Sequence, residues 1–120
     1  MKIAFPTNDK KTLAPKIGLA KGFLIIDTES QEEIYLENER LNKIIKNHGK
    51  LKGDCGEHGL GIGQVIPKKL KELGVEIFVA KFFGEGMLGN LDFYQINTYV
   101  SKKHYIKDIL NDLKEHNGNQ

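Results

Sequence analysis

Gly22-Phe23-Leu24-Ile25-Ile26-Asp27-Thr28 and, across the polar Glu29–Glu32, Glu33-Ile34-Tyr35-Leu36-Glu37 are the stretches on which the architecture turns. Gly22–Thr28 holds a β-rich apolar run, Phe23–Ile26, as a strand buried on both faces requires. Glu33–Glu37 alternates around Ile34 and Leu36, the pattern of a half-solvated strand. Strands joined by so short a polar segment pair as an antiparallel hairpin. Upstream, Lys2–Phe5 reads as a short buried strand stopped by Pro6. Thr7-Asn8-Asp9 then forms a turn whose side chains bond the local backbone.

Downstream the period changes. Ile62, Val65, Ile66, Leu70 and Leu73 fall on one face of a helix, with Pro67 in its first turn and Gly74 ending it. Val75–Ala80 reads as a buried strand, Gly84-Glu85-Gly86 starts a turn before a short helix, and Gln95–Val100 is a further strand. Ser101 caps a last helix from about Lys102, with Ile106, Ile109, Leu110 and Leu113 on one side. Residues 1–116 are expected to form a single domain and Asn117–Gln120 a frayed tail. This order predicts an α/β fold with a mixed sheet. If only the second strand runs antiparallel to the rest, Thr7-Asn8-Asp9, the loop after the third strand and Phe83-Gly84-Glu85-Gly86 share one edge, where such sheets gather ligands.

The loop after the third strand holds the chemistry. Between Asn47 and Gly63 stand six glycines, the only cysteine, Cys55, and the histidines His48 and His58. Only Leu51, Leu60 and Ile62 offer apolar anchors, and glycine is the residue that loses most freedom on ordering, so this is a loop carrying soft ligands. Loops of this length are functional or disordered as a rule, and this one is expected to order only with its ligand or a neighbouring chain. Thiolate and imidazole suit zinc, copper or the iron of an iron–sulfur cluster.

Cys55 and His58 are the first candidates for metal ligands, with His48 a third donor. A closed zinc site needs four ligands, so the remaining donor would come from Asp54, Glu57, elsewhere in the fold or a second subunit, which makes a homodimer one option. An exposed cluster, held partly by its own ligands, suits the shortage better. The alternative is a small thiol enzyme or redox sensor in which His58 lowers the pKa of Cys55. Asp9 and Asp27 make no convincing nuclease set, and no phosphate-loop spacing follows the glycines.

The net charge of +2 over 120 residues, with lysines interleaved among glutamates, excludes an electrostatic grip on nucleic acid or membrane. No apolar run is long enough for a signal peptide or a membrane span, and a lone cysteine suits a reducing compartment, so a cytoplasmic protein is expected.

Met1-Lys2-Ile3-Ala4-Phe5-Pro6-Thr7-Asn8, Phe23-Leu24-Ile25-Ile26-Asp27, the His48-Gly49 loop, Gly63, Leu70, Gly74-Val75 and Gly84 together resemble the dinitrogenase iron–molybdenum cofactor biosynthesis family of nitrogenase accessory factors. The resemblance implies a three-layer ribonuclease H-like fold with a five-stranded mixed sheet. It also implies a binding or carrier protein rather than an enzyme, taking an iron–sulfur or iron–molybdenum-type cluster or its precursor from donor proteins and passing it to acceptors. Cys55, His58 and His48 would then bind the cluster, with Thr7, Asn8 and Gly84 bonding its outer atoms. The family's His-Phe-Gly-x-Ala motif is here Lys16-Ile17-Gly18-Leu19-Ala20, so a lysine stands where the family's candidate ligand is a histidine.

Overall fold

A computed structural model describes residues 1–38 and 62–118. The chain begins with β1 (Lys2–Thr7), passes a 3-10 turn at Ile17–Leu19, and continues as the hairpin β2 (Gly22–Asp27) and β3 (Glu33–Glu37). It then gives α1 (Ile62–Glu72), β4 (Val75–Ala80), α2 (Glu85–Phe93), β5 (Asn97–Val100) and α3 (Ile106–Gly118). The sheet order is β3-β2-β1-β4-β5. β2 is antiparallel to β1 and β3, whereas β4 is parallel to both β1 and β5. Only β2 runs against the rest, the arrangement the element order anticipates.

Alternation along the strands builds two cores. Ala4, Phe23, Ile25 and Phe78 face α1 and α2 and pack with Ile66, Leu70, Met87 and Leu91. Ile3, Phe5, Leu24, Ile26 and Val79 face the other way, against Ile106, Ile109 and Leu113 of α3. The sheet is therefore a middle layer. Each such aliphatic side chain contributes about 1.5–3 kcal/mol when fully buried. Phe78 adds edge-to-face contacts with Phe23, at 6.1 Å, and Phe83, at 5.7 Å.

Several boundaries depart from the sequence expectation for local reasons. β1 continues through Pro6 to Thr7, because β4 pairs only with Lys2–Ala4 and so asks no N–H of Pro6, whose carbonyl accepts instead from Ala14 N–H at 2.7 Å. Pro67 lies in the second turn of α1 and not the first, removing one internal hydrogen bond there. Val65 is 53% exposed, so among the described side chains of α1 the buried ones are Ile66 and Leu70, followed by the partly buried Leu73 just past its end. β5 starts at Asn97, because Gln95 and Ile96 close α2: Gln95 N–H donates to Asp92 O at 2.9 Å and Ile96 N–H to Leu91 O at 2.9 Å, with Gln95 at φ +61°. α3 starts at Ile106 and not near Lys102. His104 O and Ile106 N–H are engaged by Leu13 N–H and Lys11 O, a bridge that holds this segment extended. Ser101 Oγ instead accepts from Lys103 N–H at 3.2 Å, capping a local turn. α3 also runs to Gly118, into the segment expected as a tail. Gly74, at φ +82°, does end α1.

Candidate functional site

Strand order reverses between β1 and β4, since the chain builds outward from β1 through β2 and β3 on one side and through β4 and β5 on the other. In open α/β sheets it is outside the carboxyl ends of such a pair of strands that ligands gather. The start of the antiparallel β2 and the end of β3 lie at the same edge, because Gly22 pairs with both Thr7 and Glu37.

The loop after β1 is self-organised. Thr7 is fully buried, and its Oγ1 donates to Thr12 O at 2.6 Å while accepting from Lys10 N–H at 2.9 Å. Asp9 Oδ1 accepts from the backbone N–H groups of Thr12, at 2.7 Å, and Lys11, at 2.9 Å; both carboxylate oxygens also accept from Thr12 Oγ1. These N–H groups, Thr12 first, hold the Asp9 carboxyl down to about 2 from its ordinary 3.8. Asn8 is exposed, and its Oδ1 accepts from Lys21 N–H at 2.9 Å, tying this turn to the approach to β2. Thr7 thus shapes the edge from inside, while Asn8 stands on its surface.

After β4, Gly84 is the N-cap of α2, in extended conformation and with open space where a side chain would be. The first N–H groups of the helix lie at this end, as an anion would require, although Glu85 brings its own negative charge into the first turn. Phe82, 72% exposed, follows β4 at the same edge. Among the described residues, Lys10, Lys11, Lys16, Lys21 and Lys81 flank these strand ends, with Asp9, Glu37 and Glu85.

A residue the sequence reading missed anchors the last corner. Asn38 is fully buried at the end of β3, with Nδ2 donating to Ala20 O at 2.9 Å and its N–H to Lys21 O at 3.0 Å. Its position just past an alternating strand is the only signal a sequence offers. Cys55, His58 and His48, and the expected ordering of their loop, lie outside the described residues; the chain leaves the described part after Asn38 and resumes at Ile62. Among the described residues no cluster of histidine, cysteine and carboxylate groups could hold a metal ion. Asp9 and Asp27 lie at opposite ends of the β1–β2 pair, which agrees with rejecting a nuclease centre.

The family model described as dinitrogenase iron-molybdenum cofactor matches residues 1–116. The chain belongs to this family. Comparison with curated proteins gives no match. Among solved structures, the apo form of the orange protein from Desulfovibrio gigas aligns with a TM-score of 0.72 at 16% identity, covering 96% of this chain and 88% of that one. A putative NifB protein from Thermotoga, described as a member of the DUF35 family, aligns with a TM-score of 0.68 at 20% identity, covering 95% and 87%. At these identities the likeness establishes the fold. Within the iron–molybdenum cofactor family, this member carries an exposed Lys16 just before the 3-10 turn leading to β2, at the edge just described. No helix among the described residues is long and apolar enough to cross a membrane.

Proposed function

We propose that this chain is a small carrier that receives, shields and passes on an iron–sulfur-type cluster, or a precursor of the iron–molybdenum cofactor, at the carboxyl edge of its sheet. The observation that carries this reading is membership of the cofactor family over residues 1–116. The strand order, with β2 alone antiparallel, supports the ribonuclease H-like name for the fold. The chemistry is coordination and not catalysis: Cys55 supplies thiolate, His58 imidazole, and His48 a third donor. Asn8 and the N–H groups at Gly84 and the start of α2 bond outer sulfides, while Thr7 contributes by fixing the turn that presents Asn8. The lysines around the edge offset the negative charge of a thiolate-ligated cluster.

A donor protein loads the edge and an acceptor unloads it, in the reducing cytoplasm, and a second copy of the chain could complete the ligand set. Anaerobic reconstitution with iron and sulfide, or with a cofactor precursor, tests this. Charge-transfer absorption should appear with the parent and weaken in Cys55→Ala and His58→Ala. Empty spectra, or mutants equal to the parent, would remove the cluster from this loop. Alkylation of Cys55 well below the pH of an ordinary thiol, slowed by His58→Ala, with no absorption, would favour the thiol sensor instead.

A further inference from the structure

β5 lies at one edge of the sheet, and its outward backbone is open. Ser101 N–H donates to Ala80 O on β4 at 3.1 Å, and successive residues of a strand turn their N–H and C=O groups to opposite sides. Asn97 and Tyr99 therefore bond β4, while Thr98 and Val100 point theirs away from the sheet. Among the described residues nothing bonds these outward groups. Thr98 and Val100 pair with Phe78 and Ala80, so their side chains lie on the face that α1 and α2 cover, and both are exposed, Val100 by 59%. β5 carries no charge, proline or bulge, the devices that keep a sheet edge from pairing. The other edge strand differs: self-pairing of β3 about Tyr35 would set Glu33 against Glu37, two exposed like charges.

We propose that β5 pairs antiparallel with β5 of a second copy of this chain, about a two-fold axis beside Tyr99, so that two five-stranded sheets become one continuous sheet. Opposed residues of an antiparallel pair share a face, and outward groups must meet outward groups, which leaves few registers. Centring on Thr98 would oppose Val100 to Ile96, whose N–H is already committed to Leu91 O at 2.9 Å. Centring on Val100 would set Thr98 against Lys102, beyond the end of the strand. Centring on Tyr99 instead sets Thr98 of each copy opposite Val100 of the other, two hydrogen-bonded pairs that satisfy every outward group of β5. The same register carries the exposed Lys102 of one copy towards the amino end of β5 in the other, where the exposed Asp92 lies in the last turn of α2. A second copy suits this edge because its outward groups come at the same spacing, whereas an unrelated strand finds no charge on β5 to select it. So short a ladder makes the dimer weak. The two carboxyl edges then point in opposite directions and each stays open, so this contact is independent of cluster carriage.

The experiment is sedimentation equilibrium of the full chain over a concentration series reaching about 1 mM, in reducing buffer so that no Cys55 disulfide forms. A monomer–dimer equilibrium is expected. Amide exchange at Thr98 and Val100 should slow as the dimer forms, while Asn97 and Tyr99, already bonded to β4, change little. Because Thr98 is exposed, Thr98→Lys should keep the spectrum of the folded chain and weaken the dimer at least about tenfold, equivalent to about 1.4 kcal/mol. Thr98→Lys/Val100→Glu should recover that loss at low salt, since the register opposes position 98 of one copy to position 100 of the other. A chain monomeric throughout, a dimer that Thr98→Lys leaves as tight, or a double variant no tighter than Thr98→Lys would overturn the proposal. So would concentration-dependent protection confined to other segments, which would place the contact between copies elsewhere.

Discussion

Thr7 and Asp9 show how two side chains can satisfy most of the backbone of the turn that follows β1. Removing the Thr7 hydroxyl leaves Thr12 O and Lys10 N–H short of a partner in a buried setting, which costs about 1–3 kcal/mol. Thr7→Val, which keeps the shape, should therefore lower the unfolding free energy by that amount, read as a lower urea midpoint with an unchanged slope; an unchanged midpoint would show that water replaces the hydroxyl. Asp9 acts through its charge. Its folded pKa of about 2 lies below the ordinary 3.8, so its contribution is complete above 3.8 and is lost as pH falls through about 2. Asp9→Asn should flatten the fall in thermal midpoint between those values, and equal acid profiles for variant and parent would contradict this account. Thr7 and Asp9 were legible as local bonding partners, because their contacts span only a few residues, whereas Asn8 reaches Lys21 on the approach to β2 and not the backbone of its own turn. Asn38 was not legible, since its partner Ala20 lies on the neighbouring loop.

At the scale of elements, helix ends explain most departures from the pattern. Gly74 and Gln95 both hold left-handed backbone after a helix, but only the first is a glycine. Gln95→Gly should raise stability by roughly 1 kcal/mol, and Gly74→Ala, where an added methyl meets no backbone, should lower it by a similar amount through strain alone. Chemical denaturation of the two variants checks both signs; a stabilised Gly74→Ala would refute the strain account. Gly22 is different, because any side chain there would overlap the Tyr35 ring, so the close approach of hairpin side chain and backbone requires glycine. The helix periodicity of α1 and α3 was readable, since Ile66, Leu70, Ile106, Ile109 and Leu113 all reach the core. Their starts were less so: the bridge between Thr12 and Tyr105 delays α3, and no local pattern encodes a partner so distant in sequence.

For the whole molecule, β1 is the hub, paired with β2 on one side and β4 on the other, with core side chains on both faces. Amide exchange should be slowest at Ile3–Phe5 and Phe78–Val79 and faster along the edge strands β3 and β5. Uniform protection across all strands would contradict that hierarchy. Truncating Phe78, which joins Phe23 and Phe83, should cost about 3–5 kcal/mol, read as a lowered denaturant midpoint. By itself the sequence determined the elements and the antiparallel hairpin, and it singled out Cys55, His58 and His48 by side-chain type alone, because hydrophobic period, turn residues and side-chain type are local properties. Only the tertiary structure decided the strand order and the burial of Asn38. Each of these depends on which distant segments pair and pack, and that choice belongs to the whole sheet and not to any stretch of it.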